Sequence, residues 1–376
     1  MDMKLQELIS KHEGISLADR RNNTEILHFF NKTPMKGEKI ELIYDRSPDF
    51  FSFLEFTSPD YFVFTYSEEN QIKAIGTLTL RQGFINGKLN PVGYLGDLRV
   101  KNQKRALLAW RSFYDDLITH FSQIEEFKGT RYLFTAVIDS NVQARQALIA
   151  QSKQKFQYHK ICQYKMVNIF NKFLPTINLR FQFLTMEQVS RVQLTHFLNE
   201  NQSRLNFGLS AKSIFEKINS LPRLEKKSVI VVKENDQILA FTYLWSPSPE
   251  KKIMVRNFPK FLTLILSILN RSKKKLGPKE ELRILYLNSL TISHDIHGSK
   301  LESLINALIS FVMKTSLMKE YHSLAFPDFA DHPISQHLKL CLKNETEMAL
   351  YQVLPRHQFE ELSLREGSCF FEMSLV

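Results

Sequence analysis

Three basic side chains stand where a predicted strand ends and a predicted helix begins. Lys101, Lys104 and Arg105 follow an apolar strand, residues 92–100, and lie in the first turn of an amphipathic helix predicted over residues 102–121. The start of a helix presents unpaired backbone N–H groups and the positive end of the helix dipole, so a cation there costs about 0.3–1 kcal/mol at an exposed surface. A bound anion would reverse this balance. The pattern therefore indicates an anion site, with plain surface charges as the alternative.

One carboxylate interrupts the strand that leads to this corner. Asp97 lies among apolar residues, where an unpaired charge would be costly, so it needs either a hydrogen-bond partner or a chemical role. His28 and His196 occupy equivalent helical positions in the two halves of the chain, which favours packing over chemistry. The sequence has no Ser-His-Asp order, no His/Cys metal spacing and no Walker-type loop. We therefore expect no metal site.

Four segments of the first half reappear in the same order in the second half. The pairs are residues 27–31 and 195–199, 71–74 and 237–240, 95–100 and 287–292, and 136–139 and 325–328. An extra stretch, residues 246–280, separates the second pair from the third. This order predicts two homologous domains, residues 1–174 and 175–376, with the boundary near Leu174 and Pro175. Convergent strand and helix patterning is the alternative.

The corresponding corner of the second copy differs from the first. Ser299 and Glu302 have the spacing of a capping box, in which the two side chains satisfy free amides at the start of a helix predicted over residues 300–318. Such a helix start needs no ligand. We therefore assign anion binding to the first copy and a structural role to the second.

The order of predicted elements gives the fold class. In each copy two strands form a hairpin, a further strand leads into an amphipathic helix, and more strands follow. The predicted strands are residues 61–66, 72–80, 92–100, 132–138 and 164–170 in the first copy, and 228–233, 237–245, 285–292, 321–326 and 347–353 in the second. We predict an α/β chain in which each domain has a mixed, mostly antiparallel sheet flanked by helices.

Composition and charge narrow the classes of function. The chain has 376 residues, 43% of them hydrophobic, and a net charge of +11, which suits globular cores and anionic partners. Its longest apolar run, residues 261–269, is far shorter than the roughly 20 residues of a membrane-spanning helix, so we expect no membrane association.

Three widely spaced cysteines indicate a reducing cytoplasm. Nucleic-acid contact would depend on the basic cluster of Arg271, Lys273, Lys274 and Lys275, for which a solvated loop is the simpler interpretation.

Two segments resemble the GNAT superfamily of acyl-CoA-dependent N-acyltransferases. They are Tyr94-Leu-Gly-Asp-Leu-Arg-Val100, which precedes the amphipathic helix, and residues 137–144 with the pattern Asn141-x-x-Ala144. The duplicated layout is similar to that of tandem GNAT proteins of bacteria. The resemblance therefore implies two tandem GNAT-like domains that use acetyl-CoA or another acyl-CoA as co-substrate.

The resemblance also implies which residues would contact this co-substrate. The backbone of Leu98, Arg99 and Val100 would pair with the pantetheine arm. Lys101 and the amides of Lys104, Arg105 and Ala106 would face the pyrophosphate. Asn141 would lie beside the cofactor, with helix capping as its alternative role.

The phosphate corner departs from the family pattern. Counted from Arg105, Leu108 and Trp110 stand where the family has glycines. Glycine allows close approach of a ligand to the backbone, so these larger side chains put cofactor affinity in doubt.

The resemblance implies an acid and a base for acyl transfer. The family commonly has a Tyr that protonates the departing thiolate, and here Leu148 replaces it. Tyr158 and Tyr164 are the nearest substitutes, with core packing as the alternative for both. Asp97 is the candidate base that accepts a proton from the amine, with a structural hydrogen bond as its alternative.

These observations predict a cytoplasmic N-acyltransferase that moves an acyl group from acyl-CoA to an amine of a small molecule or protein by direct attack. The N-terminal domain would bind the thioester, and the C-terminal domain would shape the acceptor cleft. A non-catalytic acyl-CoA-binding or interaction protein is one alternative. A transferase that takes aminoacyl groups from tRNA is another.

Overall fold

The described part of the chain folds into fifteen strands and eight α-helices. The computed structural model describes residues 3–32, 35–36, 41–142, 155–173, 180–257, 280–331, 333–364 and 367–375. The helices α1 to α8 are Leu5–Ile9, Asn23–Asn31, Phe50–Thr57, Lys104–His120, Arg191–Gln202, Ala211–Ser220, Gly298–Lys314 and Phe359–Leu362. The strands β1 to β15 are Ile15–Leu17, Met35–Lys36, Glu41–Asp45, Asp60–Glu68, Gln71–Ile85, Lys88–Val100, Tyr132–Ile138, Phe156–Lys172, Gln182–Leu184, Val229–Glu234, Gln237–Trp245, Lys252–Asn257, Ile284–Ile292, Ser323–Phe329 and Cys341–Pro355.

Twelve of these strands form one continuous mixed sheet. Their order is β1-β4-β5-β6-β7-β15-β8-β14-β13-β11-β10-β9. Neighbours run antiparallel except for the pairs β6 with β7 and β13 with β14, which are parallel. The architecture is therefore the predicted one, a mixed and mostly antiparallel sheet flanked by helices.

The last strand of each half joins the two halves together. β15 comes from the end of the chain but lies between β7 and β8, and its Met348 is opposite both Ile138 of β7 and Tyr164 of β8. β8 pairs on its other edge with β14 of the second half. The predicted closing strands 164–170 and 347–353 thus exist, and each is longer than predicted. The predicted boundary at Leu174 and Pro175 lies outside the described residues.

β6 and β13 carry a β-bulge at the same place. Asp97 has φ 53° and Ser289 has φ 46°, so both adopt the left-handed conformation, which is uncommon for residues other than glycine. The pairing of each strand with its antiparallel neighbour shifts register beside this residue. A bulge bends its strand and re-aims the following side chains.

The parallel strand pairs separate as they approach the bulges. β6 pairs with β7 up to Tyr94 opposite Phe134, and β13 pairs with β14 up to Tyr286 opposite Ala325. Beyond these points the described residues of each pair form no ladder. Each copy thus has an opening between its parallel strands, the first opening between β6 and β7 and the second opening between β13 and β14.

A long amphipathic helix follows each bulged strand. α4 buries a face that includes Ala106, Trp110, Phe113 and Leu117, spaced as on one side of a helix. α7 buries the equivalent face from Leu304 to Val312. Because these faces pack against the sheet, the first turn of each helix is held in one place. No helix of the described residues is long and apolar enough to cross a membrane.

A small three-stranded sheet also joins the two halves. β12, from the predicted insertion, pairs antiparallel with β3 of the first half, which pairs with β2. The apolar run 261–269 and the basic cluster from Arg271 to Lys275 lie outside the described residues.

The shared sheet predicts that the first half will not fold alone. A fragment of residues 1–173 retains β7 and β8 but lacks β15, so both strands lose a complete backbone ladder and the apolar contacts that go with it. We expect no cooperative thermal transition for this fragment by circular dichroism, and a native-like transition when residues 174–376 are co-expressed. Cooperative unfolding of residues 1–173 alone would show instead that the halves are independent domains.

Candidate functional site

The second opening contains a cavity of ≈ 480 Å³. Ser289, Thr291 and Ile292 of β13 line one side of it, and Gly298 at the start of α7 lines the corner. The apolar end is formed by Pro327 and Phe329 of β14 and by Phe370 and Phe371 near the end of the chain. The cavity thus joins a strand edge, a helix start and an apolar pocket.

The edge of β13 that borders this cavity is not paired with another described strand beyond Tyr286. On its far side β13 pairs with β11 as far as Ile292. On its β14 side the ladder stops at Tyr286, and no other described strand takes its place. Backbone N–H and C=O groups along this edge can therefore pair with an extended ligand that carries amides, as in β-strand addition.

The start of α7 is open to a ligand. Gly298 has φ 56°, and a Cβ atom built there would meet nothing within 4 Å. The preceding residue, His297, makes no side-chain capping hydrogen bond. The first amides and the positive end of this helix of 17 residues therefore face the corner of the cavity without a protein cap.

The predicted capping box of the second copy is wrong. The helix starts at Gly298, so Ser299 is its second residue and lies inside the first turn, where its side chain cannot occupy the cap position. The helix start of the first copy is also uncapped, because Gln103 makes no side-chain capping bond. Capping therefore does not distinguish the two copies.

What distinguishes the two openings among the described residues is space. In the first opening the hydroxyl of Thr135 donates to the carbonyl oxygen of Leu95 at 2.8 Å, which bridges the two strands. The indole of Trp110 lies 2.8 Å from the position that a Cβ on Gly76 would take. The described residues there line a cavity of ≈ 40 Å³, about the space of one water molecule. Residues 143–154, which follow Asn141, lie outside the described residues.

Two of the predicted site residues border the first opening. Leu98 and Tyr158 line its small cavity. The hydroxyl of Tyr158 donates to that of Tyr114 at 3.4 Å, and burial raises the pKa of Tyr158 well above its usual value. Val100 packs against the N-terminal core, and its backbone pairs with Ala74.

The basic corner of the first copy faces solvent. Lys101, Lys104 and Arg105 are exposed, and Arg105 forms an ion pair with Glu68 at 2.8 Å. Ala106, on the inner face of α4, is buried. The structure thus brings the three cations together at the start of α4, as predicted, on the outside of a nearly filled opening.

Asp97 is paired with a buried cation. Its carboxylate accepts a hydrogen bond from Arg46 Nη2 at 2.9 Å and one from the hydroxyl of Thr77 at 3.2 Å. The Arg46 side chain is 1% exposed, whereas that of Asp97 is 15% exposed. Sequence reasoning missed Arg46, because its partner lies in a distant segment of the chain.

The other predicted residues take separate positions. Arg99 is buried with its guanidinium 3.4 Å from the centre of the Phe30 ring, and Nη1 donates to the Phe30 carbonyl at 2.5 Å. The backbone N–H of Asn141 donates to the carbonyl of Ile138 at 3.0 Å. The side chain of Arg99 and the backbone of Asn141 therefore hold local structure in the first half.

Tyr164 lies behind the second opening. Its ring packs against Phe329 and Phe371, both of which line the large cavity. Burial raises the pKa of Tyr164 well above its usual value, so the phenol stays protonated and can act only as a proton donor. Its hydroxyl makes no hydrogen bond in the described structure.

A buried carboxylate supports the second bulge. Glu372 accepts hydrogen bonds from Ser289 Oγ at 2.7 Å and from the Tyr243 hydroxyl at 2.9 Å, and it pairs with Lys217 at 2.6 Å. Burial acts to raise the pKa of Glu372, but the charge of Lys217 and these hydrogen bonds lower it overall. A fixed negative charge therefore stands directly behind Ser289, which lines the cavity.

Sequence reasoning missed the residues of this second opening. A glycine at the start of the helix that follows a strand was the available signal, since such a position lets a ligand approach the backbone closely. Because Ser299 and Glu302 were interpreted as a capping box, Gly298 was not considered as part of a binding site.

The ion pair of Asp97 predicts a large structural effect of its neutralisation. Asp97→Asn leaves the buried Arg46 without a counter-charge, so we expect a loss of about 3–5 kcal/mol in the free energy of unfolding. Asp60→Asn is the matched control, because the ion pair of Asp60 with Lys128 is exposed and its loss should cost under about 1 kcal/mol. Urea unfolding of both variants measures the difference. Equal stabilities would show that Arg46 does not depend on Asp97.

Comparisons with known proteins give matches at the level of structure. No protein-family model matches the sequence, and no curated protein sequence matches it. A structure of Saccharomyces cerevisiae N-myristoyltransferase with bound myristoyl-CoA covers 99% of this chain and 87% of its own, at 11% identity and a TM-score of 0.58. A tandem GNAT protein from the clavulanic acid biosynthesis pathway covers 90% of this chain and 97% of its own, at 9% identity and a TM-score of 0.52. These alignments show that the chain has a GNAT-like fold, shared with N-myristoyltransferase and a tandem GNAT protein.

Proposed function

We propose that this protein is an N-acyltransferase that takes an acyl group from acyl-CoA and holds this thioester in the second opening. One observation carries the proposal. The cavity of ≈ 480 Å³ runs from the uncapped start of α7, along the free edge of β13, to an apolar end. These three surfaces match three consecutive parts of an acyl-CoA, which are the pyrophosphate, the arm with two amides and the acyl chain.

Each part of the thioester would meet a suitable surface. The pyrophosphate would accept hydrogen bonds from the first amides of α7, and Gly298 leaves room for it to approach the backbone. The guanidinium of Arg204, which borders the cavity, would add positive charge. The amides of the arm would pair with the backbone of β13 between Ser289 and Ile292.

The apolar end of the cavity would hold the acyl chain. Pro327, Phe329 and Phe371 give this end an apolar lining, which would exclude water once an acyl chain fills it. A dry pocket protects the thioester from hydrolysis and strengthens the hydrogen bonds formed to the reacting carbonyl.

Acyl transfer would proceed by direct attack. The amine nitrogen of the acceptor adds to the thioester carbonyl carbon, and the tetrahedral intermediate then loses the CoA thiolate while the nitrogen loses a proton. The protein contributes mainly position, since it fixes the thioester in an extended form beside the bulge. A backbone N–H on the free edge of β13 would stabilise the developing oxyanion.

The first half would then serve mainly to shape the acceptor side. This proposal exchanges the roles that the sequence suggested for the two copies, because the described residues nearly fill the first opening. The acceptor is proposed to be an amine of a small molecule or a protein. The basic corner at Lys101, Lys104 and Arg105 remains the competing location for the thioester.

Binding of acyl-CoA is the first expected outcome. A ligand that binds only the native state adds about 2.7 kcal/mol of stability at one hundred times its Kd. We expect acetyl-CoA or longer acyl-CoA thioesters to raise the melting temperature and to give a heat of binding by calorimetry. No shift and no heat at millimolar concentrations of these thioesters would refute the proposal.

A pair of helix variants locates the thioester. Leu301 lines the second opening and is the fourth residue of α7, and Leu107 is the fourth residue of α4. Leu301→Trp should fill the cavity and weaken acyl-CoA binding at least tenfold, whereas the matched Leu107→Trp should bind normally. The opposite result, together with loss of binding in Lys104→Glu/Arg105→Glu, would place the thioester at the first corner.

Turnover separates the enzyme from its alternatives. We expect release of CoA thiol from the bound thioester when a panel of amines and amine-bearing peptides is added, with the acylated product seen by mass spectrometry. Tight binding without turnover across such a panel would favour a non-catalytic acyl-CoA-binding protein. Steeply salt-dependent binding of tRNA in place of acyl-CoA would favour the aminoacyl-tRNA alternative.

A further inference from the structure

Four charged side chains meet in the first half, away from the large cavity. Arg46 follows β3, Asp97 and Arg99 lie on β6, and Lys251 lies just before β12 of the second half. We call these four residues the Arg46 cluster. Arg46 bonds Asp97 and shares the ring of Phe53 with Lys251 and the ring of Phe30 with Arg99, so the four groups lie at one place.

Arg46 has unused hydrogen-bond donors. Its Nη2 donates to Asp97 at 2.9 Å, but its Nε and Nη1 are buried and have no partner. The guanidinium carbon lies 4.8 Å from the centre of the Phe50 ring and 4.5 Å from that of the Phe53 ring. Aromatic faces attract a cation, but they do not satisfy its N–H groups.

Lys251 is the second poorly satisfied cation. Its side chain is buried, and its Nζ lies 4.8 Å from the centre of the Tyr44 ring and 5.0 Å from that of the Phe53 ring. These ring contacts are the interactions that the structure gives its ammonium group. The neighbouring Lys252 differs, because it is partly exposed and its Nζ donates to the carbonyl of Ser47 at 3.4 Å.

Two buried cations of the cluster share one carboxylate among the described residues. Arg46 pairs with Asp97, and Lys251 forms no ion pair with a described residue. Burying a cation without a counter-charge is costly, and removing one partner of a buried pair is more costly still. An anion bound at the cluster would offset this cost.

We propose that the Arg46 cluster is a binding site for the carboxylate or phosphate group of a small molecule. A guanidinium fork and an ammonium together match the planar or tetrahedral oxygens of such a group. Solvent can reach the site, since the Asp97 side chain keeps 15% of its surface exposed. The proposal does not depend on where, or whether, acyl-CoA binds.

Binding at this site should depend on pH through Lys251. Burial and the positive charge of Arg46 lower the pKa of Lys251 to about 7, and a bound anion would raise it again. Lys251 therefore keeps its proton to a higher pH in the complex than in the free protein. As pH rises from 6 to 9 the free protein loses this proton, so affinity for the anion should fall. The other groups near Lys251 are Arg46, Arg99, Asp97 and Tyr44. Burial raises the pKa of Tyr44, and it lowers the pKa of Arg46 and that of Arg99, the latter to about 10. A guanidinium group has so high an intrinsic pKa that both arginines keep their charge over this range.

The test uses the full-length protein and two probe anions. Inorganic phosphate and succinate represent the two oxygen groups, and sodium chloride at equal ionic strength is the reference. We expect at least one probe to raise the melting temperature and to bind by calorimetry, with an affinity at pH 6 at least tenfold higher than at pH 9. The probe that binds identifies the group.

Lys251→Met should lower this affinity at least tenfold and remove the pH dependence. The variant should fold, since it replaces a buried cation with an apolar side chain of similar length, and its own melting temperature checks this. The matched control Lys252→Met should bind as the unaltered protein does. Equal binding by Lys251→Met, or no binding of either probe, would overturn the proposal. Binding lost in Leu301→Trp but kept in Lys251→Met would likewise overturn it, because the anion would then belong to the start of α7.

Discussion

The backbone ladder between β8 and β15 is the interaction on which the rest of the structure depends. It runs from Cys341 opposite Lys172 to Pro355 opposite Phe156, so it extends along the whole of β15. On one side of this pair lies β7 of the first half, and on the other lies β14 of the second half. Each half therefore completes its sheet with a strand that is also bonded to the other half, and two similar copies become one folding unit.

Within that common frame, packing makes the two openings different. Both begin at a bulge and both lie beside a helix whose first amides have no side-chain cap. In the first, the indole of Trp110 and the bridge from Thr135 to Leu95 leave space for about one water molecule. In the second, Ser289 and Gly298 leave a cavity. The charges behind the bulges also differ, since Asp97 is held by Arg46 and Ser289 is held by Glu372.

Local features of the sequence predicted the local features of the fold. Hairpins, the bulged strands and the two amphipathic helices follow from apolar periodicity, and residues 95–100 and 287–292 do occupy equivalent places. The basic side chains from Lys101 to Arg105 lie at a helix start as expected. The resemblance to GNAT acyltransferases agrees with the fold, because a strand, a corner and a helix in this order are local in the chain.

Features that join distant segments could not be predicted. The insertion of β15 between β7 and β8 depends on which apolar strands pair across the whole chain. Apolar periodicity shows that a strand exists but not which strand it pairs with. Arg46 and Lys251 have ordinary sequence surroundings, and only the fold brings them together. The capping box failed for a different reason. The helix starts at Gly298, one residue before Ser299, and propensity rules for Ser299 cannot register this.

The shared sheet has a mechanical consequence. Proteins built from two separate domains often close on their ligands by a hinge, with the chain bending at a few residues between rigid bodies. Here a hinge between the halves would have to break the ladders of β8 and β15 and, in addition, the pairing of β12 with β3. The distance between the second opening and the first half is thus set by the sheet itself. Ligand entry and product release must then rely on the motion of loops and side chains at the edges of the openings, while the two halves keep a constant spacing.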